Sequence, residues 1–190
     1  MGKSKNLAVL ILAAGISSRL GEPKQLVKYK DKTLLENACI KALKVSENVF
    51  VVLGANYDEC KKEIENLDVN IIENKNYKDG LSTSIKEGIL NLNNYDKTLI
   101  MLCDQPFIST SHLQKLIEKS KKSEKIVCSF YKNDVAVPAI FPKKYYFDLF
   151  ELSGDKGAKL TIKKFGSDSI VLEDSFAVDI DKQEDKRHLI

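Results

Sequence analysis

The stretch LAVLILAAGISSRLGEPKQL, residues 7–26, decides how this chain is organised. Its first part, LAVLILAA (7–14), is an unbroken apolar run, which is typical of a strand covered by helices on both faces. Small and polar residues follow, and they include Arg19 and Lys24. Ligands of open α/β sheets bind beyond the carboxyl ends of the strands. We therefore expect the loop over 13–24 to bring positive charge to a ligand-binding edge.

Apolar runs alternate with helical patterns after this stretch. The sequence predicts helices over 33–45, 57–67, 82–92 and 109–122, and strands over 48–54, 69–73, 97–103 and 125–131. Two of the helix starts carry hydroxyl residues that can cap free N–H groups, namely Ser82 or Thr83 and Ser109 or Thr110. This alternation favours βαβ units with right-handed crossovers. We predict the α/β class, with a three-layer α/β/α arrangement around a mostly parallel, Rossmann-like sheet.

The pattern changes beyond Asp134. The stretch VAVPAIF (135–141) predicts a strand that is bulged or at an edge, because proline cannot donate to a ladder. Two short helices are predicted over 143–152 and 156–165, and a small C-terminal β element is predicted from SIVLE (169–173) and FAVDI (176–180). A length of 190 residues is typical of one domain, so a single domain over 1–190 is expected.

Composition sets limits on the class of protein. The net charge is only +3, with 43% apolar and 30% charged residues, so nothing demands a nucleic-acid or membrane partner and a cytoplasmic location is expected. The basic start, MGKSKN, precedes an apolar segment that is better explained as a strand than as a signal peptide. The four cysteines are scattered without a CxxC pair, so reduced, partly buried thiols are expected.

The loop after the first strand has the chemistry of an anion site. Ala13, Ala14 and Gly15 are small enough for backbone N–H groups to approach a ligand closely. Arg19 supplies a planar fork of donors, and Lys24 supplies a mobile point charge. Together they would suit a triphosphate. The loop has neither the Walker A spacing nor G-x-G-x-x-G, and an ordinary polar loop is the alternative that composition leaves open.

Carboxylates and small residues stand at other predicted strand and helix ends. Asp104 ends an apolar strand, where it could hold Mg²⁺ or form a turn. Gly80 precedes a serine-rich helix start, which suits an anion or a polar base edge, or simple capping. SGDKGAK (153–159) taken alone is a solvated loop. VDIDKQED (178–185) is an acidic turn in which two close carboxylates could also complete a magnesium site.

The segment LAAGISSRLGEPKQL (12–26) resembles L-A-A-G-x-S-x-R-x-G-x-x-K, the signature loop of nucleotidyltransferases with a glycosyltransferase-A-like fold. Its LAAG form, with Pro-Lys, is similar to the molybdenum cofactor cytidylyltransferase branch of the MobA-like NTP transferases. The guanylyltransferase branch more often has two glycines there. The resemblance implies transfer of CMP from CTP to a phosphorylated acceptor, suspected to be molybdopterin, with Mg²⁺ as cofactor. A molybdoenzyme recipient is a possible further partner.

The resemblance also implies roles for individual residues. It implies that the catalytic residues are Arg19, Lys24 and Asp104. It implies nucleotide contacts from Leu12, Ala13, Ala14, Gly15, Arg19 and Lys24, with the base contacted by Gly80, Leu81, Ser82 and Ser84. It implies an acceptor side formed by Gln105, Pro106, Asp155, Lys156 and Gly157. Asp104 would be one metal ligand, and either Asp179 or Asp181 the second, with Asp179 preferred.

The resemblance extends from Leu7 to Asp185, with departures towards the C-terminus. Lys182 and Gln183 replace the usual Thr-Pro, and Ala136 stands where G-x-P is typical. Both departures affect the acceptor half. The alternatives are therefore GTP as donor, a sugar or alcohol phosphate as acceptor, and a non-catalytic nucleotide-binding protein that delivers a cofactor.

Overall fold

The computed structural model describes residues 6–189, so the basic residues at 1–5 and the outer limits of the expected domain lie outside the described chain. Within this range the first strands run parallel in one sheet. They are β1 (Leu7–Ala13), β4 (Asn48–Leu53), β5 (Asn70–Glu73) and β6 (Lys97–Leu102), in the order β5-β4-β1-β6. Two short strands, β2 (Lys28–Tyr29) and β3 (Lys32–Thr33), form a separate hairpin. The central position of β1 explains why its apolar run is unbroken, since all seven of its residues are buried.

The other strands extend the sheet beyond β6 and change its direction. They are β7 (Ile126–Tyr131), β8 (Asp134–Pro142) and β9 (Ser167–Val171), and they complete the order β5-β4-β1-β6-β8-β7-β9. Strand β8 runs antiparallel to both neighbours, whereas β9 runs parallel to β7. The prediction of a mostly parallel sheet is confirmed.

Helices cover both faces of the sheet and complete three layers. They are α1 (Leu34–Leu43), α2 (Tyr57–Ile64), α3 (Leu81–Leu90), α4 (Thr110–Lys121), α5 (Tyr146–Phe150) and α6 (Lys159–Phe165). Helices α1, α2 and α4 contribute to the core on one face, and α3, α5 and α6 to the core on the other. Alternate residues of β1 point to opposite cores, as Val9 and Leu10 illustrate.

The helix starts show which predicted caps form. The Ser109 hydroxyl accepts from the backbone N–H of His112 and caps α4, as predicted. The cap predicted for α3 was wrong, because the helix begins at Leu81 and Gly80 precedes it with no side-chain cap. Ser82 is thus inside the first turn, where it is buried.

The prediction of a bulged strand over 135–141 is confirmed, whereas its alternative, an edge strand, is not. Strand β8 is interior, and its Pro138 is tolerated because the ladder with β7 shifts register opposite it, between Cys128 and Ser129. The prediction for the last segment was wrong. The segment 176–180 forms no strand, and Ile180 instead packs in a small cluster beside the loop after β1. The predicted C-terminal pair is therefore reduced to β9, which joins the main sheet. No helix among residues 6–189 has the length and apolar character needed to cross a membrane.

Candidate active site

The loop after β1 is folded by its own serine. Ser17 adopts a left-handed backbone, with φ of 61°, and its carbonyl accepts from the N–H groups of Leu20 and Gly21. Its hydroxyl accepts from the backbone N–H of Lys24 at 3.0 Å. Leu20 is fully buried beside Ile180. The loop therefore turns back on itself and returns Lys24 to the carboxyl end of β1.

Gln25 holds the same loop from beneath. It is fully buried, and its side-chain nitrogen donates to the carbonyl oxygens of Ala13 and Gly15, each at 2.8 Å. Both donor hydrogens are used, so the carbonyls on either side of Ala14 are fixed in direction. A Cβ built on Gly15 would meet nothing within 4 Å, so this part of the backbone faces open space.

Charged side chains from three parts of the chain meet beyond the strand ends. The Lys24 ammonium donates to Asp104 and to Asp181, each at 2.9 Å, and the Arg19 guanidinium lies 2.6 Å from the other oxygen of Asp181. Burial alone would lower the pKa of Lys24, but the two carboxylates outweigh it and raise that pKa above its ordinary value. Lys24 is therefore held as a cation.

A third acid, Asp179, lies in the same cleft, near Asp104. Its carboxylate accepts from the Gln105 amide at 2.8 Å, and that amide also lies 3.3 Å from the Tyr131 hydroxyl. Burial, together with the negative charge of Asp104, raises the pKa of Asp179. Burial and Asp179 likewise raise the pKa of Tyr131 to about 12. This corner of the cleft holds more negative charge than its surroundings compensate.

The cluster of Asp104 and Asp179 has a carboxylate oxygen available to bind a divalent cation. The second carboxylate oxygen of Asp104, Oδ1, is buried and has no partner. Carboxylate oxygens are the ligands that Mg²⁺ prefers, and Mg²⁺ commonly takes one or two of them and completes its shell with substrate phosphates and water. No group of three or more acidic, cysteine or histidine side chains suited to a metal is present among residues 6–189. Two carboxylates nonetheless fit this mode of binding.

The wall opposite the charged residues is formed by the start of α3. Gly80 has φ of 105°, and a Cβ there would lie 2.4 Å from the carbonyl oxygen of Gly154. The backbone N–H of Ser82 donates to that same carbonyl at 3.0 Å. Only glycine at position 80 lets the segment around Gly154 close against the helix start. The wall therefore depends on two segments more than 70 residues apart in sequence.

The cleft encloses about 480 Å³ and collects most of the predicted residues. Twelve residues from the predicted set line it: Leu12, Ala13, Ala14, Gly15, Arg19, Lys24, Gly80, Leu81, Ser84, Asp104, Asp155 and Asp179. Five others do not: Ser82, Gln105, Pro106, Lys156 and Gly157. Among these, Ser82 and Gln105 are buried behind the lining, and Lys156 borders a separate depression beside α5 and α6.

Several lining residues were not predicted. Gln25, Tyr77 and Lys78 line the cleft without having been singled out from the sequence. Tyr77 lies in the turn before Gly80, and its exposed surroundings gave no periodic signal. Gln25 could have been noticed as an amide between a predicted phosphate contact, Lys24, and the apolar Leu26. Asp181, the less favoured of the two terminal acids, is the one that contacts Lys24.

The remaining polar candidates belong to the core. All four cysteines are buried free thiols, and burial raises the pKa of each, that of Cys39 to about 12. His112 is buried and lies 2.8 Å from the Ser129 hydroxyl, so it is a packing residue.

The fold of this chain is similar to that of a Methanothermobacter nucleotidyl transferase, which superposes with a TM-score of 0.80 at 20% identity, over 97% of this chain and 95% of that one. The chain belongs to the MobA-like NTP transferase domain family, whose sequence model matches residues 9–169. The structure of a homologue of Mycobacterium tuberculosis Rv0371c, from Mycobacterium sp. strain JC1, is also similar, with a TM-score of 0.83 and 28% identity over 97% of this chain and 94% of that one.

Two curated relatives show more limited similarity. A probable molybdenum cofactor guanylyltransferase of Bacillus mycoides (strain KBAB4) is 34% identical over 116 residues, which are 60% of this chain and 56% of that protein. A molybdenum cofactor cytidylyltransferase of Escherichia coli (strain K12) is 32% identical over 81 residues, 42% of each chain. The chain thus spans about half the length of these relatives.

Proposed function

We propose that this protein transfers a nucleotidyl group, CMP, from CTP to a phosphorylated small molecule, and that the acceptor is molybdopterin. An oxygen of the acceptor phosphate attacks the α-phosphorus of CTP and forms a new phosphoanhydride bond. The bond between the α- and β-phosphates breaks, and its electron pair leaves with pyrophosphate. The acceptor phosphate is already ionised near neutral pH, so no strong general base is required.

One observation carries this proposal, namely the meeting of Lys24 with Asp104 and Asp181 beside Arg19. The distances of 2.9 Å from Lys24 to each acid join the loop after β1 to the end of β6 and to the segment 178–185. Cations aimed at a triphosphate and acids aimed at a metal are both needed at one place for nucleotidyl transfer. Their convergence supports nucleotidyl transfer over the alternative that the segment after β1 is an ordinary polar loop.

Asp104 and Asp179 are the residues that would hold Mg²⁺. Both carboxylates line the cleft, and the unpartnered oxygen of Asp104 is available as a metal ligand. Bound there, Mg²⁺ would neutralise phosphate charge and orient the reacting oxygens. Asp181 remains the alternative second ligand, because it too lines the cleft, though its oxygens face Lys24 and Arg19.

The chain's own groups would do most of the positioning. Arg19 and Lys24 would stabilise the charge that grows on the β- and γ-phosphates as they leave. The backbone around Ala14 and Gly15, fixed by Gln25, would present N–H groups to the phosphates. Such transfer depends on alignment and charge stabilisation rather than on a protein nucleophile.

The two ends of the substrate would be held by different walls. Gly80, Leu81 and Ser84 are the candidate base contacts, with Ser82 buried behind them. The acceptor would lie towards Asp155, with Gln105, Pro106 and Gly157 shaping that side from outside the lining and Lys156 next to it on the adjoining surface. Molybdopterin as acceptor rests on the resemblance of the LAAG segment and on the names of the curated relatives.

GTP is the second candidate donor. The guanylyltransferase relative aligns over a longer stretch than the cytidylyltransferase relative, 116 residues against 81. The guanylyltransferase branch more often has two glycines in this loop, whereas this chain has Ala14 followed by Gly15. This difference favours CTP as the donor.

The test is pyrophosphate release measured with CTP, GTP, ATP and UTP, each with and without molybdopterin. We expect release with CTP that depends on both molybdopterin and Mg²⁺. Pyrophosphate release with GTP and not with CTP would show that GTP is the donor. Binding of CTP without pyrophosphate release under any of these conditions would favour a non-catalytic delivery protein.

A further inference from the structure

The amide of Asn74 is buried beside the first turn of α3, which carries the candidate base contacts. Asn74 follows directly after β5 and is only 1% exposed. Its backbone N–H donates to the carbonyl of Leu53 at 2.8 Å, so the residue continues the sheet. Its side chain reaches across to the first turn of α3. It therefore connects the rigid sheet to the wall that carries the candidate base contacts.

The orientation of this amide is fixed by a group that can only donate. The backbone N–H of Asn76 lies 2.9 Å from the side-chain oxygen of Asn74. Because an N–H cannot accept, the amide oxygen faces Asn76 and the amide nitrogen faces α3. That nitrogen donates to the hydroxyl oxygens of Thr83 at 2.9 Å and Ser84 at 3.0 Å. Both amide hydrogens are used.

The hydroxyls of Thr83 and Ser84, which accept these bonds, differ in the group to which each donates its own proton. The Thr83 hydroxyl donates to backbone carbonyls, with Gly80 at 2.8 Å and Asn76 at 3.1 Å. Ser84 accepts from Asn74 but donates to no group among residues 6–189, and it lines the cleft. A hydroxyl that accepts from a fixed amide keeps its single proton for another partner. The proton of Ser84 is therefore free for a ligand.

We propose that Asn74 is a positioning residue that sets Ser84 as a hydrogen-bond donor, so that this wall takes a nucleobase edge carrying an acceptor atom. The inference rests on the proposed function, since it assumes that a nucleotide occupies the cleft. A cytosine edge supplies acceptors in its ring nitrogen and carbonyl oxygen. The charged residues Arg19 and Lys24 serve the phosphates and take no part in this choice.

The test separates the base end from the phosphate end by using two probes. CTP carries base and phosphates, whereas tripolyphosphate carries the phosphates alone, and the dissociation constant of each is measured at pH 8. Asn74→Asp keeps the shape of the side chain but replaces both donors with a carboxylate oxygen, which would accept the Ser84 proton. We expect CTP to bind roughly tenfold more weakly while tripolyphosphate affinity is unchanged.

Matched variants distinguish positioning from general damage. Thr83→Val removes the other acceptor of the same amide but leaves Ser84 bonded, so CTP affinity is expected to stay within about twofold of the unsubstituted protein. Ser84→Ala removes the donor itself and is expected to give the same selective loss of CTP, even if Asn74→Asp proves too unstable to purify. Adding Asn74→Asp to Ser84→Ala is expected to weaken CTP binding no further.

The outcomes are distinguishable from failure of the proposed function. If the unsubstituted protein binds CTP no better than tripolyphosphate, the proposed use of CTP as donor is overturned. If it prefers CTP but Asn74→Asp or Ser84→Ala leaves that preference intact, or either lowers affinity for both probes equally, only the role of Asn74 and Ser84 is overturned.

Discussion

The ammonium nitrogen of Lys24 lies 2.9 Å from a carboxylate oxygen of Asp104, although 80 residues separate them in the chain. The same nitrogen lies 2.9 Å from Asp181, which is 157 residues away. One lysine thus forms ion pairs with acids from two distant segments. Its side chain is 15% exposed, whereas that of Arg19 is 69% exposed, so the two cations of the loop are expected to respond differently to removal.

Lys24→Met is expected to destabilise the protein, and Arg19→Ala is not. Loss of Lys24 leaves Asp104 largely buried without its cation, which costs about 2 kcal/mol in the free energy of unfolding. Loss of the exposed Arg19 costs less than about 0.5 kcal/mol. Urea unfolding of both variants measures this difference. Both variants are expected to weaken tripolyphosphate binding, and equal stability losses in the two would contradict this account of the cluster.

Asp104→Ala is expected to leave a folded protein whose rate of pyrophosphate release falls by roughly 10²-fold or more, because the carboxylate that would hold the charge-stabilising Mg²⁺ is removed. Circular dichroism establishes that the variant folds, and a pyrophosphate assay gives the rate. Near-normal release by a folded variant would count strongly against the proposed metal site.

Asp179→Asn is expected to stabilise the metal-free protein while reducing transfer. The substitution keeps an oxygen for the Gln105 amide but removes a buried charge that is repelled by Asp104. The gain is about 1 kcal/mol, or a rise of roughly 2–4 °C in Tm. Thermal unfolding in EDTA measures the gain, and pyrophosphate release measures the loss. A lower Tm with unchanged transfer would contradict both parts of this prediction.

Gly80→Ala is expected to damage the wall of the cleft far more than Gly154→Ala. A Cβ on Gly80 would lie 2.3 Å from the backbone of Gly154, whereas a Cβ on Gly154 would meet nothing within 4 Å. Both residues have positive φ, so Gly154→Ala measures backbone strain alone, about 1 kcal/mol. Gly80→Ala adds a clash between the new Cβ and the Gly154 backbone to the larger strain of a φ of 105° with a ψ of 171°, and it is expected to cost about 3 kcal/mol. Chemical unfolding of the pair tests this, and equal costs would show that the clash is relieved elsewhere.

Stability is expected to fall as the pH drops below about 6.5, with His112 as one cause. Burial, with a smaller effect of Lys115, lowers the pKa of His112 below its ordinary 6.5. The unfolded chain then binds more protons than the folded one, so the free energy of unfolding decreases as the pH falls through this range. His112→Gln can still bond Ser129 and is expected to flatten the dependence between pH 7.5 and 5.5. An unchanged slope would remove His112 from this account.

Local signals in the sequence predicted most strands of the main sheet, the helix layers and the loop that brings Arg19 and Lys24 to the sheet edge. The loop around Gly15 is recognisable because its chemistry is contained in one short segment. The segment 176–180 misled because its apolar residues report burial rather than strand pairing: Ile180 packs beside Leu20 without a neighbouring strand. The amide of Asn74 escaped notice because its partners on α3 are defined only by the folded chain.

The charged cluster of the cleft, where we propose that the triphosphate binds, joins the loop after β1 to the segment that follows β9. Ile180 donates its backbone N–H to the carbonyl of Asp104, and Lys186 pairs with Glu22. A ribosome adds these residues only after every strand of the sheet has been made. A nascent chain that has not yet reached Asp181 therefore lacks one of the two carboxylates that Lys24 contacts, and its charged cluster is incomplete.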